Sequence, residues 1–326
     1  MNTEKIPFVI LIHTEEEFDW RAGFSRENNA VEHAQFLYRV QDIFDELGFR
    51  AGYLIGYPLL SDPNSLSVMR ELSENELVEI GCHMHAWVTP PYGSSGAEGI
   101  SYQHLLPAAL EREKLVTLTR KIEAEIGVRP KSFLGGRYGF GPNTGEVLKE
   151  LGYKVDFSAN ATGDYTDDGG PDYSRISLSP TWHNDNGQLL RAVGTGAYLG
   201  CLHGAGPQLN RVLRKRIARN LRLEGILSRL GMFETLRLSP EGYSFDELRR
   251  LTDTVVERGA DYLVYSFHSP SVMPGCTPYV QSDDDLMGFL DDIRRYLTYI
   301  NERSDVESVF PFELWERYAP IETPSR

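Results

Sequence analysis

The chain has 326 residues, 41% of them hydrophobic and 25% charged, and a formal net charge of −14. That is enough apolar chain for one large α/β domain or two ordinary ones, and the acidic balance argues against the basic stripe of a nucleic-acid binder. Three scattered cysteines, Cys82, Cys201 and Cys276, make no disulfide framework, and no apolar run approaches the roughly 18 residues of a membrane span.

The chain starts polar, from Met1 to Pro7, without the basic and apolar regions of a secretory signal, so a cytoplasmic protein is expected. Phe8 to Ile12 is a continuous apolar run, the mark of a strand buried on both faces, and His13-Thr14-Glu15-Glu16-Glu17-Phe18-Asp19-Trp20 follows it directly. Helical spacing then covers Val31 to Leu47 and stops at Gly48. Ala51 to Ile55 reads as a second strand, Leu66 to Leu72 as a short helix, and Val78 to Cys82 as a third strand. After a long loop from Ala86 to Tyr102, a helix is expected from about Pro107 to Ile126, a strand from Lys131 to Leu134, a helix from Pro142 to Leu151, and a strand from Tyr153 to Phe157. The periodicity weakens between 159 and 243, which reads as a partly helical insertion with a strand at Leu189 to Val193 and a basic helix from Gln208 to Leu230. It resumes with a helix from Phe245 to Arg258, a strand from Tyr262 to Phe267, a helix from Asp284 to Ile300, and a last strand from Val309 to Phe312. Repeated strand–helix units argue for a parallel sheet, open or closed into a barrel, with the carboxyl ends of its strands on one face.

Polar residues gather at those carboxyl ends. His83 and His85 stand two apart on an extended segment, so they point to the same side, and imidazole is a favoured zinc ligand. His13 to Glu16 ends the first strand, Arg137-Tyr138 follows the strand at Phe133, and His268 ends a late strand. Two imidazoles with one carboxylate make a workable catalytic metal set, and His268, without charged sequence neighbours, suits a general acid. His33, His104, His183 and His203 lie outside these clusters and read as structural.

The order of these motifs, His13–Asp19, Glu79–His85, Phe133–Gly139 and Tyr265–Ser269, resembles the polysaccharide deacetylases of carbohydrate esterase family 4, the NodB-homology group. The fuller strings Glu15-Glu16-Glu17-Phe18-Asp19-Trp20 and Phe267-His268-Ser269-Pro270-Ser271 look like a branch found with exopolysaccharide biosynthesis genes. The resemblance spans most of residues 6 to 158 and 244 to 312. It implies a single domain over 1–326 with a distorted parallel barrel of about seven strands, a (β/α)7 type. It further implies metal-dependent removal of an N-acetyl group from a sugar or glycan precursor, with a divalent metal, zinc by preference, on Glu15 (or Glu16), His83 and His85. His268 would be the acid, Tyr138 or its amide would hold the oxyanion, and Trp87, Tyr138 and Trp20 would stack on a sugar.

The sequence departs from that pattern at three points. His13 stands where an acidic base is expected; Leu134 stands where an arginine pairs with that base, the nearest being Arg137; and the histidines are two apart rather than four. His13 has an ordinary pKa of about 6.5, suited to a base. Two other readings stay open: a non-catalytic relative that binds glycan, and a hydrolase of another non-peptide C–N bond.

Overall fold

In the computed structural model, residues 5–18, 23–92, 100–183, 187–214 and 223–320 are described. The apolar runs form the strands β1 (Ile6–Thr14), β2 (Ala51–Ile55), β3 (Val78–Met84), β4 (Ser132–Gly135), β5 (Val155–Asn160), β7 (Leu190–Gly194) and β10 (Leu263–His268). They pair in the order β10-β1-β2-β3-β4-β5-β7, each neighbour parallel. A two-residue strand, β6 (Thr181–Trp182), runs antiparallel at the β7 edge. The sheet curls into a half-barrel. Across its open seam Val193 N donates to Tyr262 Oη (2.7 Å) and Val264 N donates to Thr195 Oγ1 (2.9 Å), so side chains bridge where no ladder forms.

Helices α1 (Tyr38–Leu47), α2 (Pro63–Ser73), α3 (Ala108–Ile126) and α4 (Thr144–Glu150) are the crossovers along this order. The helix read over Val31–Leu47 begins instead with a single 3-10 turn at Glu32–Phe36 and becomes α-helical only from Tyr38. Gly48 and Gly127 end α1 and α3 in left-handed conformations, at φ 72° and 80°, where a side chain would be strained.

Alternation along the strands sets what faces the barrel axis. Phe8, Ile10 and Ile12 pack outward with the helices, while Val9 and Leu11 face inward with Leu54, Leu134 and Val264. With a period of two, His13 and Glu15 continue the inward set of β1, His83 and His85 that of β3, and His268 that of β10. The register places His13 beside both Leu54 and His268.

Residues 159–243 contribute more than a surface excursion. β7 lies in the main sheet, and β8 (Gly196–Leu199) pairs antiparallel with β9 (Glu234–Arg237) as a separate hairpin. The helices α5 (Gly206–Leu213) and α6 (Leu223–Arg229) pack on that hairpin through Leu213, Leu223, Leu227 and Phe233. The middle of the basic helix expected over Gln208–Leu230 lies outside the described residues.

Helices α7 (Phe245–Glu257) and α8 (Asp283–Asn301) flank β10 in sequence, each opened by a serine capping box. The last strand is not Val309–Phe312. β11 is Val306–Ser308, paired with β1 through Ile6↔Val306, and the chain then turns into α9 (Glu313–Tyr318). Pro311 has no N–H for a ladder, and it packs over Gly52, where a Cβ would clash with Pro311 Cγ. Among the described residues, no helix is long and apolar enough to cross a membrane.

Below the barrel, burial raises Glu79 from 4.5 to about 7, outweighing hydrogen bonds from Ser132 Oγ and Phe312 N (2.9 Å). Below about 4.5 both folded and unfolded chains hold this proton; as pH rises the unfolded chain sheds it first, so stability is lost toward about 7. Urea midpoints measured from pH 4.5 to 7 should fall with rising pH, and Glu79→Gln should flatten that slope.

Candidate functional site

The inward residues of β1, β3 and β10 meet at the carboxyl mouth of the sheet. They line a cavity of about 300 Å³ with Phe18, Phe24, Arg137, Tyr138 and Tyr165. Glu15 is 3% exposed, His83 2% and His85 3%, so their charges have to be balanced within the protein. Glu15 Oε2 lies 3.0 Å from His83 Nε2 and 3.3 Å from His85 Nε2. Each histidine is anchored by its other nitrogen: His83 Nδ1 lies 3.1 Å from the carbonyl oxygen of Leu134, and His85 Nδ1 lies 2.8 Å from Glu16 Oε1. Such anchoring places a ring N–H on Nδ1 and turns Nε2 of both rings toward Glu15 Oε2.

Burial alone would neutralise Glu15, but His268, His83 and His85 together hold its carboxyl well below the usual range. His85 is pulled down by burial and up more strongly by Glu16 and Glu15, to about 10. His13 is pushed well below 6.5 by burial first and by His268 and His83 next, so it stays neutral. Its ring stands edge-on to that of His268, 4.7 Å between centroids. His268, 20% exposed, places Nδ1 2.7 Å from Glu241 Oε2, and its backbone N donates to Glu241 Oε1 (3.1 Å). Burial lowers His268, yet Glu241 and then Glu15 raise it to about 9.

Two devices in the backbone aim these side chains. A Cβ on Gly136 would lie 2.5 Å from His85 Cδ2, so the turn after β4 needs glycine there. Arg137 and Tyr138 follow in left-handed conformations, at φ 54° and 60°, an unusual pair for non-glycine residues and a common mark of a functional site. The first motif is tied to the end of β10 through buried His33, whose Nδ1 lies 2.8 Å from Glu17 Oε1 and whose Nε2 lies 2.7 Å from Ser269 Oγ. Ser269 Oγ in turn accepts from Glu15 N (3.2 Å).

The remaining expected residues divide. Tyr138 lines the cavity, and its ring stacks on Tyr165 at 5.4 Å. Arg137 sits at the rim, where it donates to Ser101 Oγ (2.5 Å) and Asp168 Oδ2 and lies over the Phe24 and Tyr102 rings; among the described residues it makes no hydrogen bond to His13 or Glu15. Trp87 is 5% exposed and stacks behind His85, 4.1 Å between centroids, so it supports that ring from the protein side. Trp20 lies outside the described residues. Burial lifts Cys82 to about 12 and Cys276 to about 11, which leaves both as unreactive thiols. Glu241, Arg237 and Tyr165 were not singled out from the sequence. They come from the 159–243 region, where no strand-end pattern pointed to them.

Glu15, His83 and His85 place ligand atoms within 4.8 Å of one another, as do His13, Glu15 and His268. The first set fits a divalent ion by chemistry: two imidazole nitrogens, of which His85 would give up its Nε2 proton to the ion, one carboxylate, and Glu16 and Leu134 behind the rings.

No protein-family model matches the chain, and no curated protein sequence does. Solved structures do share its fold. Puue allantoinase is 14% identical, over 97% of this chain and 91% of its own, at a TM-score of 0.58. The probable polysaccharide deacetylase from Pseudomonas aeruginosa PAO1 is 16% identical, over 98% and 92%, at 0.54. A GH57 branching enzyme from Thermococcus kodakaraensis is 12% identical, over 97% and 72%, at 0.54. The fold is that of the NodB-like deacetylases.

Gly136→Ala should displace the His85 ring and cut divalent metal affinity by about tenfold or more without touching a ligand, as read by calorimetric titration of zinc. Unchanged affinity would mean that His85 is not a ligand.

Proposed function

We propose that the chain is a metal-dependent hydrolase that removes an N-acetyl group from a sugar. The observation that carries this reading is the convergence of His83 Nε2 and His85 Nε2 on Glu15 Oε2, with His268, paired to Glu241, lining the same cavity. Glu15, His83 and His85 would hold the ion, zinc by donor chemistry, which when bound polarises the acetamide carbonyl and lowers the pKa of a water. Neutral His13 takes the proton as the water oxygen bonds to the carbonyl carbon. The Tyr138 side chain or amide stabilises the oxyanion. His268 delivers a proton to the nitrogen as the C–N bond breaks, leaving acetate and the free amine.

Glu241 is a positioning residue here, because it acts on the transferred proton through His268 Nδ1. A second reading, hydrolysis of another non-peptide C–N bond, draws support from His13 standing where the deacetylases are expected to carry an acid. Glycan binding without turnover draws on the same departure.

Zinc-loaded protein should release acetate from an N-acetylated sugar, and His268→Gln should lower kcat by about a hundredfold or more. Activity should fall as pH rises through about 9, where His268 loses its proton. Glu241→Gln removes the charge that holds this proton and should move the alkaline limb to lower pH; an unmoved limb would remove His268 from the acid role. Turnover of a cyclic amide but of no acetylated sugar would select the second reading, and bound glycan without product the third.

A further inference from the structure

Arg237, the last residue of β9, is a cation that the proposed chemistry does not use. It is partly buried and borders both the catalytic cavity and a side lobe of about 250 Å³ that opens from it. Tyr138, His268 and Tyr279 also border both, so the two spaces are continuous. The side lobe is walled by Asn160, Thr195 and Ser239, groups that donate and accept hydrogen bonds.

The charge on Arg237 is faced by tyrosines. Its guanidinium lies 5.9 Å from the Tyr165 ring centroid, with Tyr138 and Tyr243 also nearby. Among the described residues it makes no ion pair with a carboxylate within 4.0 Å. Glu241 lines the same lobe, but its oxygens are already engaged by His268 Nδ1, by His268 N and by Ser271 Oγ. The other arginines around this mouth are neutralised: Arg137 by Asp168, Arg211 by Asp164 and Asp172, and Arg214 by Asp167. Beside Arg237, the Tyr165 hydroxyl is buried against the guanidinium, and Tyr165 lines the catalytic cavity. A permanently charged planar fork that no carboxylate neutralises, at the mouth of a polar lobe, suits a carboxylate or a phosphate.

We infer that the substrate is an acidic N-acetyl sugar whose carboxylate or phosphate docks on Arg237 while its acetamide lies at Glu15, His83 and His85. This rests on the deacetylase reading for the acetamide end alone. The anion site stands on the polar lobe and on an arginine that no carboxylate neutralises.

The test titrates wild type, Arg237→Gln and Arg237→Lys calorimetrically, at fixed ionic strength, with N-acetylglucosamine, its 6-phosphate and N-acetylglucosaminuronic acid. Wild type should bind at least one acidic sugar about tenfold or more tightly than the neutral one. The ratio should collapse toward one in Arg237→Gln and survive in part in Arg237→Lys, which keeps the charge should the first variant not fold. Preference for the phosphate or for the uronate identifies the source of the anion. Equal binding of the three sugars by wild type, binding of neither acidic sugar, or a preference that persists in Arg237→Gln overturns the inference. Arg237-dependent preference without acetate release retains the anion site and removes the hydrolase reading. Acetate release without preference does the reverse.

Discussion

Burying Glu15 is the constraint on which the rest of the mouth depends. A carboxylate with 3% exposure keeps its charge only where cations or donors surround it. Here the charges alternate through space, from Glu16 through His85 to Glu15, and from Glu15 past His268 to Glu241. Each imidazole is shared between two carboxylates, so neither ring is free to turn away. The arrangement that satisfies Glu15 without an ion also gathers the atoms that the proposed metal site would use.

The scaffold holds that arrangement by local means. Strand alternation turns His13, His83, His85 and His268 inward, a glycine at 136 lets the β4 turn approach His85, and Trp87 backs the same ring. The left-handed pair Arg137-Tyr138 places the tyrosine in the cavity and sends the arginine to the rim. Leu134, in the place where an arginine is expected, packs its side chain into the barrel and lends its carbonyl to His83. With His13 neutral at the base position, no buried carboxylate there calls for an arginine partner.

Proteins that share this fold include an allantoinase, a polysaccharide deacetylase and a branching enzyme. A fold that serves such different chemistries places residues but does not choose a substrate. The choice rests with the side chains at the mouth, among them an arginine supplied by the hairpin that follows β7 and proposed above to select an anion.

The sequence by itself determined the strands and their direction of facing. Continuous apolar runs marked β1 and β2, Gly48 and Gly127 marked helix ends, and the two-residue spacing of His83 and His85 put both on one side, because strand periodicity is local. The tertiary structure alone decided the partners. Glu241 reaches His268 across 27 positions and Ser269 reaches Glu15 across 254, distances over which no local pattern carries information. It also placed β8 and β9, short strands in a weakly periodic stretch whose pairing depends on neighbours distant in the chain, and it turned Val309–Phe312 from an expected strand into a plug. Arg237 shows the difference most plainly: in sequence it is one arginine among many, and only folding leaves it beside a cavity with its neighbours' carboxylates already taken.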